Sequence, residues 1–547
     1  MSGSNGNGDV GPNGTGPWTV LVTDKVSESG LAPLRADERF QIVKIDDSSD
    51  AAFAETLPEA HGLIVRSATK VRGDLLDNAT SLRVIGRAGV GVDNIDLPGA
   101  TERGIAVMNA PAGNTVSAAE LTMALILSMV RRVAAADASV RSGEWARARF
   151  KGAELRGRTL GLVGAGRIGG EVAKRCRAFG MNVVAYDPYL TSERAAELRA
   201  EPAELSDVLA RADVLSLHVP LTDATRTMIN AEAIATMKRG AFLVNVARGG
   251  VVDEAALADA LEAGHLAGAA LDVYANEPLE DGSRLRGAPN LVLTPHLGAS
   301  TAEAQELVAT EIAETVRSAL AEGDLSRALN APAVGGDVMQ SLGSLFALGE
   351  ALGKLACALT PGAIRELEIR YAGDSNDALE PLTSFVLVGL LRDVLGADQV
   401  NFVSAPHLAR QRDVGVARTR LDTDSDYAEY VEVAIDAERG PLRLAGALLG
   451  DAHPRIVRIG DYRVDVVPAG TLLVLMNDDV PGVIGRVGSI LGDHEINIAG
   501  YHQARLSKGG EALAAVQVDG EVGPAVRDAI LGLPEVSRAV VVRLDQS

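Results

Sequence analysis

Residues Thr159 to Gly169 read TLGLVGAGRIG, which is typical of a short apolar strand, a glycine turn and the start of a helix. The glycines form a G-x-G-x-x-G motif. Gly164 permits the tight turn, Gly166 lets a pyrophosphate approach the backbone, and Gly169 lets helix and strand pack closely. The helix start adds free N–H groups and the positive end of a dipole. The stretch therefore predicts a site for the phosphates of a dinucleotide.

The residues after the motif complete a βαβ unit. The helix is predicted to end near Phe179, before Gly180, and a strand over 182–186 leads to Asp187. A glycine turn can also be purely structural, but strand, turn, helix, strand and acid follow here in the order that ribose binding requires. We expect Asp187 to bind the ribose hydroxyls and to repel a 2′-phosphate, since no arginine follows it closely. The sequence therefore predicts NAD rather than NADP.

The composition is that of a large acidic globular protein. At 547 residues the chain is too long for one hydrophobic core, and roughly three or four domains are expected. Its formal net charge of -21 argues against nucleic acid or an anionic membrane as the main partner. The longest apolar run, Leu121–Val130, is too short to span a bilayer. An anionic substrate would need a few well-placed arginines.

The cysteines and the first residues indicate the compartment. Cys176 and Cys357 lie in separate predicted domains with apolar surroundings, which favours structural thiols in a reducing cytoplasm. They provide neither a disulfide framework nor a cysteine-based metal site, and no metal is predicted. Residues 1–17 are Gly, Asn, Ser and Pro rich, without an apolar core, so we expect a disordered leader rather than a signal or transit peptide.

Short apolar strands and helical stretches alternate from Trp18 onward, which predicts parallel sheets whose ligands gather at the carboxyl ends of the strands. A long helix, Val116 to Ala135, is predicted to cross into the domain of the glycine motif, and a helix from Thr301 to Leu320 to return. The predicted boundaries are a leader over 1–17, a substrate-binding domain over 18–113 plus 299–331, a nucleotide-binding domain over 114–298, an intervening domain over 332–470 and a regulatory domain over 471–547.

Polar residues at strand ends of the second domain suit acid–base chemistry. His296 follows one strand and Glu277 another, and a carboxylate that orients an imidazole fixes its tautomer and stabilises the imidazolium. His218, also at a strand end, is the rival candidate. Arg248 offers a planar fork suited to a substrate carboxylate, although a helix cap or a surface ion pair would also account for it.

The last third of the chain no longer shows the regular alternation of strands and helices. Residues 337–470 mix helical and β-like stretches and contain no catalytic constellation. From Thr471 onward the order of elements is βαββαβ, which is typical of a ferredoxin-like module. The predicted fold class is therefore α/β, with two Rossmann-like parallel-sheet domains, an α+β intervening domain and a ferredoxin-like domain.

Taken together, the motifs resemble those of the D-isomer-specific 2-hydroxyacid dehydrogenases, in their long form with an intervening domain and a C-terminal ACT domain. The resemblance covers nearly everything after the leader. It rests on the stretches VRSATK (65–70), GRAGVGVD (86–93), GAGRIG (164–169), NVARGGVVD (245–253), LDVYANEP (271–278) and TPHLGAST (294–301).

The resemblance implies NAD-dependent oxidation of 3-phospho-D-glycerate to 3-phosphohydroxypyruvate, the first step of serine biosynthesis, with Arg248, Glu277 and His296 as catalytic residues. It implies substrate binding by Arg66, Arg87, Gly89, Val90 and Asn114. The cofactor-binding positions that it implies are Gly164, Gly166, Arg167, Ile168, Gly169, Asp187, Pro220, Ala247, Asp272 and Gly298.

The resemblance further implies a homodimer or homotetramer and L-serine as effector of the ACT domain, bound by Asn477, Asp479 and Asn497. For the effector residues the alternative is structural: Asp478 and Asp479 cap a helix and Asn497 makes a turn. Two other functions remain open at this point. One is a dehydrogenase for another D-2-hydroxy acid, and the other is a non-catalytic NAD sensor.

Overall fold

The computed structural model describes residues 17–397, 399–421, 427, 429–438, 440–450 and 453–544. The predicted leader lies outside the described residues, except for Pro17. The described chain contains four sheets, and the predicted α/β fold class is confirmed. Among the described helices, none combines the length and the apolar character that crossing a membrane requires.

The first unit is a five-stranded sheet in the order β2-β1-β3-β4-β5, and every neighbouring pair is parallel. Its central strands are buried on both faces, as expected for a parallel sheet covered by helices. Its elements are β1 Trp18–Val22, α1 Ala32–Arg35, β2 Phe40–Lys44, α2 Ala51–Thr56, β3 Gly62–Val65, α3 Asp74–Asn78, β4 Val84–Arg87, α4 Leu97–Glu102 and β5 Ala106–Asn109.

The second unit is a seven-stranded parallel sheet in the order β12-β11-β10-β9-β6-β7-β8. Its elements are α5 Thr115–Arg131, α6 Val133–Arg141, β6 Thr159–Val163, α7 Arg167–Ala178, β7 Asn182–Tyr186, α8 Ser192–Leu198, β8 Glu201–Pro202, α9 Leu205–Arg211, β9 Val214–Leu217, α10 Ala231–Thr236, β10 Phe242–Asn245, α11 Glu254–Glu262, β11 Gly268–Leu271 and β12 Leu291–Leu293.

The helix predicted over 116–135 is broken in two. Arg132 has φ 56°, in the left-handed region, and separates α5 from α6. The side chain of Arg132 donates to the carbonyl oxygen of Arg149, 2.8 Å away, and to the side chain of Asn290. These two contacts come from distant parts of the chain, which is why helical periodicity did not reveal the break.

The return helix α12, Ala302–Glu322, lies on the first sheet rather than on the second. Its buried residues Val308, Ile312 and Val316 pack in one cluster with Val20, Ile64 and other residues of the first sheet. The chain therefore crosses between the two units twice, through the segments before α5 and before α12.

The third unit is a six-stranded sheet in the order β14-β13-β15-β16-β17-β18, in which only the β13–β14 pair is parallel. The helices α14 and α15 pack against it. Its elements are α13 Gly336–Ser341, α14 Gly343–Leu359, β13 Ile364–Ala372, α15 Leu379–Leu395, α16 Ala405–Gln411, β14 Gly415–Arg420, β15 Glu429–Ala437, β16 Leu442–Leu449, β17 His453–Ile459 and β18 Tyr462–Val466.

The fourth unit has the predicted βαββαβ order and an antiparallel sheet, β20-β21-β19-β22. One face of the sheet packs on its own helices α17 and α18. The other face, which includes Leu472 and Val542, joins the buried core of the third unit. Its elements are β19 Thr471–Asp478, α17 Val483–Asp493, β20 Asn497–Arg505, β21 Glu511–Asp519, α18 Pro524–Leu531 and β22 Val536–Arg543.

Candidate active site

The carboxyl ends of the two parallel sheets face one another across a cleft of about 540 Å³. Loops after strands of both sheets line it, as expected for open α/β sheets. The cleft brings together many of the residues that the sequence predicted. The predicted residues that line it are Arg66, Arg87, Val90, Asn114, Ile168, Pro220, Ala247, Arg248, Glu277, His296 and Gly298.

His296 and Glu277 form a contact pair. The Nδ1 atom of His296 lies 2.7 Å from Oε2 of Glu277, and 42% and 36% of the two side chains are exposed. Burial alone would raise the pKa of Glu277. The hydrogen bond and the charge of His296 outweigh it and hold that pKa below its usual range. Because Nδ1 is held by a carboxylate, Nε2 is the ring atom available for proton transfer with a ligand.

The loop that carries His296 is tied to a buried carboxylate. Asp272 accepts hydrogen bonds from the N–H groups of Leu297 (2.8 Å) and Gly298 (2.9 Å) and from the hydroxyl of Thr294 (2.6 Å). Burial raises the pKa of Asp272, and these bonds offset part of that rise. His296 itself has φ 56°, so the loop holds it in a conformation that non-glycine residues rarely adopt.

The rival histidine has a different environment. Nε2 of His218 lies 2.8 Å from the hydroxyl of Ser216, and no carboxylate partner occurs among the described residues. Loss of water around the ring lowers the pKa of His218 to about 4, so the ring is neutral at physiological pH. His218 lines the cleft, but it lacks the charge partner that His296 has.

The glycine motif fits a dinucleotide. Gly164 has φ 93° and its backbone lies against the carbonyl of His218, while a side chain on Gly169 would clash with the Gly164 carbonyl. At Gly166 a side chain would meet no atom within 4 Å, so this position faces open space. Helix α7 begins at Arg167 without a side-chain cap, which leaves its first N–H groups for an anion.

Asp187 lies at the end of β7, beside the motif. Its Oδ2 accepts from the N–H of Ala165 (2.8 Å) and its Oδ1 from the N–H of Tyr189 (2.9 Å). Each carboxylate oxygen can accept a second hydrogen bond, so the group can receive ribose hydroxyls while it holds the glycine turn. Of the glycine motif, Ile168 lines the cleft that contains His296, whereas Asp187 and the three glycines lie outside it.

Two arginines of the first sheet enter the cleft. Burial and the nearby charge of Arg248 lower the pKa of Arg87 to about 10, and its Nε is buried without a hydrogen-bond partner among the described residues. A side chain on Gly89 would clash with this guanidinium. Arg66 follows β3 and lines the same cleft. The oxygen of the Asn114 side chain is also buried and unpartnered in the described chain, which marks this end of the cleft as prepared for a polar ligand.

Arg248 comes from the second sheet and crosses the cleft. Its Nε lies 3.1 Å from Oδ2 of Asp93, which follows β4 of the first sheet. Its Nη1 donates to the carbonyl of Ala247 at 2.6 Å. The backbone around Val90 is held as well, because the side chain of Asn109 donates to the Val90 carbonyl at 2.5 Å.

Sequence reasoning missed the residues that fix these loops. The carboxylate of Asp24 accepts from the N–H groups of Arg66 and Thr69 and from the Thr69 hydroxyl, at 2.6–3.0 Å. The side chain of Asn94 donates to the carbonyls of the same two residues at 2.8 and 2.7 Å. Asp24 lies two residues after the end of β1. The rule that ligand-binding groups gather at the carboxyl ends of parallel strands, which we call the carboxyl-end rule, could have found it there.

The three predicted effector residues do not meet within one chain. Asn477 is buried, and its side-chain oxygen has no partner among the described residues. Asp479 accepts from Arg505 (2.8 Å) and from the N–H of Gly509 (3.1 Å). Asn497 pairs with Asp519 on β21, whereas Asn477 pairs with Ala512, so the two asparagines are seven strand positions apart. That separation is roughly 24 Å.

Comparison with known proteins assigns these parts. The D-isomer specific 2-hydroxyacid dehydrogenase NAD-binding domain matches residues 123–298, the D-3-phosphoglycerate dehydrogenase intervening domain matches 341–460, and the ACT domain matches 470–535. A structure of D-lactate dehydrogenase from Aquifex aeolicus, complexed with NAD and lactic acid, is 32% identical with a TM-score of 0.50. It covers 56% of this chain and 97% of its own.

Two full-length relatives are both named D-3-phosphoglycerate dehydrogenase. The protein of Bacillus subtilis is 40% identical over 530 residues, which are 96% of this chain and 100% of that protein. The protein of Methanocaldococcus jannaschii is 38% identical over 528 residues, or 96% and 99% of the two chains.

The nucleotide-binding sheet, the His–Glu pair and the domain match define an NAD-dependent oxidoreductase of the 2-hydroxyacid dehydrogenase class. Similarity along almost the entire length then narrows the class, because it includes the intervening and ACT domains. The chain belongs to the D-3-phosphoglycerate dehydrogenase family.

Proposed function

We propose that this enzyme oxidises 3-phospho-D-glycerate to 3-phosphohydroxypyruvate with NAD, as the first step of L-serine biosynthesis. The observation that carries the proposal is the arrangement of Arg66, Arg87 and Arg248 around the His296–Glu277 pair in one cleft. On a chain with net charge -21, these arginines provide local positive charge for a substrate that carries both a carboxylate and a phosphate.

Each residue has a distinct part in the reaction. Arg248 holds the carboxylate and the C2 hydroxyl, and Arg66 and Arg87 hold the phosphate end. Nε2 of His296 takes the proton of the hydroxyl as the C–O bond becomes a carbonyl, and the carboxylate of Glu277 stabilises the resulting imidazolium. NAD, which the glycine motif and Asp187 would hold, would supply the acceptor for the hydride of C2. In the reverse direction His296 returns the proton to the oxygen.

Steady-state NADH formation tests this proposal. The purified enzyme is assayed with 3-phospho-D-glycerate, D-glycerate, D-lactate, glycolate and formate at equal concentration. We expect the highest kcat/KM with the phosphorylated acid. Equal or higher kcat/KM with an unphosphorylated acid would favour another member of the 2-hydroxyacid dehydrogenase class, and no turnover with any of them would favour an NAD-sensing protein.

We further propose a homo-oligomer, either a dimer or a tetramer, that forms through the nucleotide-binding unit. Support comes from apolar side chains that remain exposed on and after α5 and α6, including Val133, Val140 and Trp145, of which Trp145 is 81% exposed. Sedimentation equilibrium of the intact enzyme and of Trp145→Ala measures the assembly. The monomer mass for the unmodified enzyme would contradict it.

We also propose that the enzyme works in a reducing cytoplasm and that its ACT domain binds L-serine. The support for a reducing compartment is that Cys176 and Cys357 are both free thiols, and Cys176 is fully buried.

Support for an amino-acid ligand of the ACT domain comes from the buried side-chain oxygen of Asn477, which has no partner among the described residues, and from Asp479, whose carboxylate can hold an ammonium group. A serine titration of the activity of the intact enzyme tests the effector.

A further inference from the structure

Asp93 and Arg248 lie on different sheets but form one ion pair. Asp93 belongs to the loop after β4, and Arg248 to the loop after β10. Their contact, 3.1 Å between Oδ2 and Nε, spans the cleft, and 62% of the Asp93 side chain is exposed against 23% of the Arg248 side chain. The contact therefore fixes a group of the nucleotide-binding unit to the substrate-binding unit.

The guanidinium of Arg248 is held on three sides. Nε faces Asp93, Nη1 donates to the carbonyl of Ala247, and Nη2 lies over Gly91 so closely that any side chain there would clash with it. A guanidinium has five N–H donors, and these contacts use two of them. The remaining donors belong to the Nη atoms, whose edge can bind a carboxylate in a bidentate way.

The pairing of Asp93 indicates a more specific role than neutralising the positive charge of the cleft. It and Glu277 are the two carboxylates among the described cleft residues, and Glu277 is paired with His296. The Asp93 carboxylate is hydrogen-bonded to the arginine assigned to the substrate carboxylate, whereas Arg87, assigned to the phosphate, feels only its charge. A substrate anchored at both ends needs a fixed separation between these arginines, and a bond across the cleft supplies it.

We propose that Asp93 is a positioning residue that holds the Nε edge of Arg248 across the cleft and so directs its Nη edge to the substrate carboxylate. The proposal rests on the proposed function for the role of Arg248. Loss of Asp93 then weakens substrate binding through Arg248 and leaves NAD binding intact. Because Asp93 is largely exposed, its replacement should not prevent folding.

The first test compares Asp93→Ala and Asp93→Asn with the unmodified enzyme. We expect Asp93→Ala to raise KM for 3-phospho-D-glycerate by about tenfold or more, the usual worth of a hydrogen bond to a charged group. Asp93→Asn should recover part of this loss, because its amide oxygen still accepts the Nε–H. Asp74→Ala, which removes another exposed carboxylate of the same unit, is the control and should leave KM unchanged.

The second test asks whether the effect passes through Arg248. In an Arg248→Lys background the Nε donor is absent, so adding Asp93→Ala should change KM less than twofold. An undiminished effect in that background would overturn the proposal. If Asp93 acted only as a counter-ion, Asp93→Ala should lower KM for the phosphorylated acid, because a negative charge near the anionic substrate would be removed. A KM that falls or stays unchanged in Asp93→Ala would likewise overturn it.

A binding measurement separates this inference from the identity of the substrate. Glycolate carries only the carboxylate and hydroxyl assigned to Arg248, and calorimetric titration onto the NADH-bound enzyme does not require turnover. Asp93→Ala should weaken glycolate binding by the same factor as it raises KM for the phosphorylated acid. If 3-phospho-D-glycerate is not oxidised but glycolate binding still depends on Asp93, the proposed substrate is wrong and the positioning role stands. Unchanged glycolate affinity would refute the positioning role.

Discussion

At the scale of single residues, the chemistry depends on which atom of each side chain is left free. Glu277 occupies Nδ1 of His296, so Nε2 is the atom that can exchange a proton. Each carboxylate oxygen of Asp187 accepts one hydrogen bond from a backbone N–H group and can accept another from a ribose hydroxyl. Single substitutions at these positions test both roles.

His296→Ala should lower kcat by about 10²–10⁴, the usual worth of a positioned acid–base group. NAD affinity should remain, because the glycine motif and Asp187 are untouched. Steady-state kinetics and a fluorescence titration with NADH measure the two effects. His218→Ala is the matched comparison, since that ring lines the same cleft without a carboxylate partner. A larger loss of kcat in His218→Ala than in His296→Ala would reverse the assignment.

Glu277→Gln should change the pH dependence more than the maximal rate. The pKa of Glu277 lies below its usual range, so the carboxylate is negative throughout the range in which histidine titrates. The charge of His296 is one cause of that lowered pKa, and the interaction is reciprocal, so removal of the carboxylate makes the protonated, inactive form of the pair less stable. The acidic limb of the kcat/KM profile for oxidation should therefore move to lower pH. A shift to higher pH would show that Glu277 does not stabilise the imidazolium.

Asp187→Ser should narrow the preference for NAD over NADP, because it removes the negative charge that repels a 2′-phosphate. The hydrogen bond to Ala165 is also weakened, so absolute NAD affinity should fall, and the ratio of kcat/KM values is the quantity to measure. Asp213→Ser is the control, since Asp213 accepts the N–H of Thr159 (2.8 Å) at the opposite end of β6. An unchanged ratio in Asp187→Ser would assign ribose selection to another residue.

At the scale of elements, the carboxyl-end rule accounts for what could be predicted. Local pattern was enough to place β6, the glycine turn and α7, because strand, turn and helix follow each other directly. His296, Glu277 and Arg248 were found because they follow strands of one sheet. The rule says which edge of a sheet binds ligands, and it requires no knowledge of side-chain contacts.

Contacts between distant segments were beyond prediction. Asp93 meets Arg248 from 155 positions away, and Asp24 holds a loop that lies 42 to 45 positions further along the chain. The break at Arg132 has the same origin, because its side chain bonds to Asn290. Such contacts depend on how the units pack, whereas periodicity reports only on neighbours within one element. The predicted domain boundaries stay predictions.

Asp272→Asn tests how the 294–298 loop, which follows β12, is anchored. Asp272 accepts the N–H groups of Leu297 and Gly298 on different oxygens, and asparagine has only one side-chain oxygen. One of these two N–H groups would therefore face the amide NH₂. We expect the free energy of unfolding to fall by about 1–3 kcal/mol, the cost of an unsatisfied buried donor. We also expect kcat to fall, since the loop carries His296. Thr294→Val loses one hydrogen bond to the same carboxylate and should cost less in both measurements. Equal losses would show that the carboxylate does not anchor the backbone.

At the scale of the whole molecule, the ACT unit cannot be treated as a detachable part. One face of its sheet belongs to the same buried core as α14 of the intervening unit, through residues such as Leu472, Val474 and Val542. The intervening unit in turn contacts the substrate-binding unit, where Asn401 donates to the carbonyl of Gly104 at 2.9 Å. The ACT sheet is therefore connected to the substrate-binding unit through the packed intervening unit, and deletion of that sheet would expose apolar surface on α14.

Regulation by L-serine is best tested in the full chain, by mixing two variants. Asp479 and Asn497 lie near opposite ends of one ACT sheet, so a serine site that uses both must combine two copies of the chain. We expect serine to inhibit the unmodified enzyme and to act weakly on Asp479→Ala or Asn497→Ala alone. In mixed oligomers of the two variants, one shared site contains both native side chains, and inhibition should partly return. Inhibition in mixtures that stays as weak as in either variant would place the two residues in separate sites, and an unmodified enzyme insensitive to serine would refute the effector.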